Sequence, residues 1–237
     1  MLGVNDLRGQ SFLDVGSGSG LSSLAAMRMG ARTVYSFDFD PDSVSCTKEL
    51  RRRYYPNADN WIITSGSALD QNFLGSLGVF DVVYSWGVLH HTGKMWDALN
   101  RIGLLVADRG KLFIAIYNDQ GRRSRIWRSI KRLYNRGIVP RYCLAITYLT
   151  WLVTRGALID VLIRQKNPTK RYREYESSRG MSFTTDALDW LGGYPFEVAT
   201  TQAVVDFLRT RGFELAKLTS VGTSLGCNEF VFIKCAE

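Results

Sequence analysis

Apolar residues along the chain fall into two rhythms, and the change between them divides it. Over the first 118 residues, short apolar runs alternate with helically spaced stretches. "FLDVG" (12–16) is a compact apolar run closed by glycine, the pattern of a strand buried on both faces. "LSSLAAMRMG" then spaces Leu21, Leu24, Ala25 and Arg28 helically and stops at Gly30. "TVYSFDFD" (33–40) is β-rich, and Asp40-Pro41 reads as the cap and first position of a helix reaching Arg53. "WIITSGS" (61–67), "VFDVVYSW" (79–86) and "KLFIAIYN" (111–118) predict three more strands, with a helix around 94–105 before the last. The repeated strand–helix order predicts an α/β fold built on an open parallel sheet with helices on both faces.

Residues 119–197 break that order. Amphipathic spacing predicts helices near 123–135, 141–153 and 157–165, followed by a polar stretch and then "MSFTTDALDWLGGYPFE", whose paired glycines between aromatics suit a loop beside a ligand. The α/β pattern returns with a helix over 200–210, closed by Gly212. "FELAKLTSV" and "NEFVFIKC" then predict two strands paired as an antiparallel hairpin. The expected organisation is therefore a core of residues 1–118 and 198–237, interrupted by a helical insert at 119–197.

Composition adds limits. At 237 residues, 46% hydrophobic and 22% charged, the chain has the make-up of an ordinary globular protein. Four scattered cysteines (46, 143, 227 and 235) offer neither zinc-ligand spacing nor a disulfide framework, so no metal is expected and a reducing, cytoplasmic setting is. The opening "MLGVNDLRGQ" does not read as a signal peptide. The longest apolar run, 143–153, falls short of the roughly 20 residues a spanning helix needs. The net charge of +8 is concentrated: residues 121–180 hold fifteen Lys and Arg against three acids, leaving fifteen against nineteen elsewhere. Three readings of that segment stand: a solvated helical face; attraction to an anionic acceptor or anionic membrane surface; or a nucleic-acid grip with interleaved Trp127, Tyr134 and Tyr142.

The candidate chemistry begins at Asp14. Gly16, Gly18 and Gly20 follow it and allow close backbone approach to a ligand before a helix. A dinucleotide fingerprint would place its third glycine at 21, which is Leu21 here. An acid beside the loop suits a ligand carrying positive charge, an ammonium or sulfonium. Asp38, at the tip of the second strand, can accept both hydroxyls of a ribose, since Asp40 is engaged as a cap.

These residues resemble the class I S-adenosylmethionine-dependent methyltransferases. "LDVGSGSG" is similar to their first motif, "SFDFD" to their acidic second-strand end, "GSALD" (66–70) to the adenine-facing segment and "FDVVYSWGVLHH" (80–91) to the fourth-strand motif. The resemblance implies a Rossmann-like sheet of six parallel strands with an antiparallel seventh, and an inserted helical lid. It implies S-adenosylmethionine as cofactor, with S-adenosylhomocysteine as product. Asp14, Gly16, Gly18 and Gly20 would meet the methionine part, Asp38 the ribose, and Ser67 and Ala68 the adenine edge. Ser17, Phe39, Ser85 and Trp86 would complete the cofactor site. Two departures stand out: Ser67 occupies a position where the family often has Asp, and only about ten residues precede the first strand, where the family usually carries a helix.

If the acceptor is a hydroxyl, a general base assists, and the adjacent His90 and His91 lie just past the fourth strand at the expected ligand edge. The Asn/Asp-Pro-Pro-aromatic run of base-amino methyltransferases is replaced by Ser85-Trp86-Gly87-Val88, and no Pro-Cys nucleophile is present. "VLHH" is most similar to small-molecule enzymes, particularly the ubiquinone-biosynthesis O-methyltransferase group. From the insert, Arg179, Met181, Trp190 and Tyr194 are expected to join Tyr117 around a small, anionic or lipidic acceptor, with peripheral membrane contact. The alternatives are RNA methylation through the basic insert and a non-catalytic protein that keeps the fold as a scaffold.

Overall fold

The computed structural model describes residues 6–163, 165, 167–175, 177 and 182–236. Packing divides the chain into two units, Met1–Gln120 with Glu197–Glu237, and Gly121–Phe196.

The first unit is a seven-stranded sheet in the order β3-β2-β1-β4-β5-β7-β6. Its strands are β1 (Ser11–Val15), β2 (Thr33–Asp38), β3 (Trp61–Ser65), β4 (Phe80–Trp86), β5 (Val106–Tyr117), β6 (Phe213–Thr219) and β7 (Cys227–Lys234). Neighbours from β3 to β5 pair in parallel, and β7 enters antiparallel between β5 and β6. Side chains alternate across the sheet, so Leu13, Val15, Val83 and Ile114 join one core, and Phe12, Val34, Val82 and Phe113 the other. Each such fully enclosed aliphatic side chain contributes about 1.5–3 kcal/mol. Both faces are apolar, which is why these strands read as continuous hydrophobic runs.

The helices follow their start and stop signals. In α1 (Leu21–Arg28), Gly20 caps with φ +79°. In α2 (Pro41–Tyr54), Asp40 accepts from the Asp42 and Ser43 amides, as Asp-Pro predicts. A short α3 (Gln71–Gly75), capped by Asp70, was not expected. Two further helices of this unit are α4 (Met95–Gly103) and, after the insert, the helix at Thr201–Arg209. β5 begins five residues earlier than predicted. The added residues include a register shift against β4 between Phe80 and Val82, with Arg109 at φ +59°.

The second unit holds α5 (Arg122–Tyr134), α6 (Ile138–Leu158) continued by a π-helical turn (Ile159–Ile163), α7 (Pro168–Arg173) and α8 (Phe183–Gly192). With these named, the helix at Thr201–Arg209 is α9. The expected helices at 141–153 and 157–165 are one continuous run over Ile138–Ile163, 26 residues long. The expectation that this segment is too short to reach across a membrane is corrected: at 1.5 Å per residue it extends about 39 Å. Between the two expected helices, Gly156 stays helical for a packing reason. A Cβ there would stand 2.8 Å from the Tyr172 hydroxyl, which donates to the Val153 carbonyl. The expected loop at Asp189–Gly193 is the C-terminal part of α8 up to its cap. Arg179 and Met181 lie outside the described residues.

Candidate active site

The glycine loop leaves β1 with Gly16, Gly18 and Gly20 all at positive φ. Two of them show why no side chain fits. A Cβ on Gly16 would meet the Val88 methyls at 2.3 Å, so Val88 roofs the loop. A Cβ on Gly18 would meet nothing within 4 Å, so the space over Gly18 is open, and its φ of +53° disfavours any larger residue. The Gly16 and Ser17 amides donate to the Phe37 carbonyl, and the Gly18 amide donates to Asp38 Oδ2 at 2.8 Å. Asp38 Oδ1 accepts from the Asp40 amide. Asp38 thus ties the loop to the end of β2, while Asp40 spends both oxygens on the α2 cap.

Asp14 lies beneath this loop, 1% exposed. Trp61 Nε1 can only donate, and Ser36 Oγ accepts from it at 2.9 Å. Ser23 Oγ donates to Asp14 Oδ2 at 2.5 Å, so the remaining Ser36 hydrogen points to Ser23 Oγ at 2.7 Å. The resulting relay, Trp61 to Ser36 to Ser23 to Asp14, aims three dipoles at one carboxylate from β3, β2 and α1. Burial nevertheless pushes the Asp14 pKa up to about 6; the Ser23 bonds oppose the rise and the Asp38 charge adds to it. At neutral pH the site therefore encloses a carboxylate with no cation beside it among its described hydrogen-bond partners.

On the adenine side expected from the sequence, Gly66 donates to the Asp38 carbonyl, Ser67 Oγ accepts from the Leu69 amide, and Ala68 is buried. Phe39 is 82% exposed, unusual for a phenyl ring beside a strand end. Past β4, Ser85 is enclosed and donates to the Val15 carbonyl, while half-exposed Trp86 donates to Glu229.

The chain then makes a 3₁₀ turn at Leu89–His91. His90 is fully buried and packs its ring 3.9 Å from that of Tyr117 and 4.5 Å from that of His91. His91 is only partly buried, its ring 5.5 Å from Tyr117. Sequence reasoning missed two residues that hold this turn. Val88 packs on Gly16, and Glu197 donates its amide to the His90 carbonyl while its carboxylate accepts from the Met95 amide. That carboxylate caps α4, which has no side-chain cap from its own Lys94.

Trp190 and Tyr194 belong to the second unit. Trp190 stands 5.3 Å from the Trp127 ring and carries the Lys131 ammonium 4.1 Å over its face. Lys131, an unremarkable member of a basic run in the sequence, is completely buried. It donates to the Trp190 carbonyl, and burial pushes its pKa down to about 7. Its position was readable: Trp127, Lys131 and Tyr134 share one face of α5 at i, i+4 and i+7.

Residues 13–112 match the family model described as a methyltransferase domain. Among solved structures, the chain is similar to PKMT2 from Rickettsia typhi in complex with AdoHcy, with a TM-score of 0.65 and 13% identity over 98% of this chain and 51% of that one. It is also similar to magnesium protoporphyrin IX methyltransferase from Synechocystis PCC 6803 with bound SAH, with a TM-score of 0.53 and 14% identity over 96% of this chain and 75% of that one. The fold is that of the class I methyltransferases. In sequence, the methyltransferase similarity includes the ribosomal protein L11 methyltransferase of Alteromonas mediterranea, 44% identical over 48 residues, which are 20% of this chain. The chain spans only 16% of that relative's length.

Proposed function

We propose that this chain binds S-adenosylmethionine in its first unit and transfers the methyl group to a small-molecule acceptor, at oxygen. The observation that carries the cofactor is the pairing of an enclosed carboxylate, Asp14, with open space over Gly18. A carboxylate kept ionised in so little solvent is stabilised by a cationic ligand group, and a phosphate would be repelled from it. The residues fit the cofactor: Asp14 holds the ammonium, the Gly18 backbone allows close approach, and Asp38 takes the ribose diol. Ser67 and Ala68 border the adenine, and the exposed Phe39 offers a ring to cover it. Bound there, S-adenosylmethionine supplies a methyl group on sulfonium sulfur for in-line displacement.

On the acceptor side, His91 is the partly exposed member of the pair and takes the acceptor's proton on its imidazole. His90 is enclosed against Tyr117 and serves to position the turn. Small-molecule O-methylation is supported by the His pair in place of the base-amino motif.

Calorimetric titration with S-adenosylhomocysteine, using NAD as control, tests the cofactor. Micromolar binding of the first alone is expected; equal or absent binding of both removes the proposal.

A further inference from the structure

The second unit exposes apolar surface on a scale the first does not. Along the helix over Ile138–Ile163, the most apolar 18-residue window has a mean hydropathy of 1.5, and only 11% of it is buried. Val139, Ile146, Val153, Leu158, Val161 and Leu162, which helical spacing puts on one strip, are each between 42% and 73% exposed. A groove along the helix is lined by Thr154, Ala157, Leu158, Val161 and Leu162. Contiguous exposure of this kind marks a surface meant to be covered.

We propose that this face docks on an anionic lipid bilayer, with the helix lying in the plane of the membrane. Three observations select that partner. First, two hydroxyls of the face are satisfied internally: Thr147 and Thr154 donate to the Cys143 and Thr150 carbonyls of the same helix, both at 2.8 Å. Such back-bonding leaves these hydroxyls compatible with hydrocarbon, which requires them satisfied within the helix.

Second, the segment carries the complementary charge. Fifteen cationic residues stand against three acids over 121–180, and among the described residues Arg132 and Arg136, at the approach to α6, and Arg141, in its first turn, make no ion pair. Cations beside an apolar face are attracted to anionic headgroups. Trp151, half exposed with the Arg155 guanidinium 5.4 Å over its ring, suits the headgroup level.

Third, the opposite side of the helix is occupied. Leu144, Ala145 and Tyr148 pack with Tyr134 and Leu191. A helix held by protein along one side offers lipid the other, which favours an in-plane orientation over a spanning one.

The test is flotation of the full chain with phosphatidylcholine vesicles, with and without phosphatidylglycerol. It needs neither cofactor nor acceptor, so its result is independent of the methyl-transfer proposal. The chain is expected to float with the anionic vesicles and at least about tenfold less with the neutral ones, and added salt should release part of it. The double variant Ile146→Asp, Leu158→Asp changes side chains already in solvent. It should keep the wild-type circular dichroism and lose at least about tenfold in vesicle binding. The charge variant Arg132→Glu, Arg136→Glu should lose the preference for anionic lipid. Failure of the wild type to float overturns the proposal, as does equal flotation with both vesicle types. A lipid-independent dimer abolished by the same aspartates, with no flotation, assigns the face to a second copy and also overturns it.

Discussion

The two units of this chain follow opposite burial logics. The first hides its apolar residues on both faces of a sheet and encloses one carboxylate, Asp14. The second has a small buried apolar cluster, Tyr134, Ala145 and Leu191, encloses a lysine, and turns a long apolar helix face outward. A charge inside and hydrocarbon outside is costly for a fold that stands alone. Each inversion is what the two proposals answer: a cationic ligand group at Asp14 and a lipid surface at α6.

The sharpest way to break the comparison is at the acceptor side of the first unit. His91→Ala should lower turnover about 10²–10⁴-fold while S-adenosylhomocysteine affinity stays nearly intact. His90→Ala should instead lower thermal stability, because its ring is enclosed. Stopped-assay kinetics beside calorimetry and melting curves separate the two, and equal turnover in both variants removes the base.

Next in size is Asp14. Its folded pKa of about 6 lies above the unfolded 3.8, so this group favours the folded state below about pH 4 and loses that contribution as pH rises through 6. Asp14→Asn should therefore be more stable than wild type at about pH 8, by up to about 3 kcal/mol, and the gain should shrink toward pH 4. The same variant should bind S-adenosylhomocysteine far more weakly. Parallel melting curves across that range would show that the carboxylate is not the strained group of the first unit.

Asp38→Ala comes third, weakening the cofactor analogue by about 1–3 kcal/mol in titration. Unchanged affinity would move the ribose contact away from the end of β2.

The last test lies in the second unit. The Lys131 pKa is depressed to about 7, so its contribution to stability is present above about 10.5 and lost as pH falls through 7. Lys131→Met should remove the rise in stability between about pH 7 and 10, and should be the more stable form at about pH 6 by on the order of 1–3 kcal/mol. An unchanged slope would return Lys131 to the status of a solvated side chain.

Legibility in the sequence also splits between the units. Strands β1 and β4 were readable because double-sided burial writes a continuous apolar run, and the Asp40-Pro41 start of α2 because its cap is local. Asp14 was legible as an acid beside glycines, but its enclosure was not, since Ser23, Ser36 and Trp61 come from three other elements. Val88 and Glu197 were missed for the same reason: each acts on a residue distant in sequence. In the second unit, one helix was read as two, 141–153 and 157–165, because the space Gly156 keeps inside it is for Tyr172, sixteen residues on.

The seam at which the insert leaves the sheet carries a consequence of its own. The Ala199 amide donates to the Tyr117 carbonyl, the Asp119 amide to the Ala199 carbonyl, and Asn118 bridges Ala199 in parallel. Departure and return are stitched together on one sheet edge, and Glu197 anchors the returning strand to the histidine turn. Such a socket fixes both ends of the intervening stretch from within the sheet, independently of its own fold. Lineages, or engineers, could replace everything between Gln120 and Glu197 and leave the architecture around His90 and His91 in register.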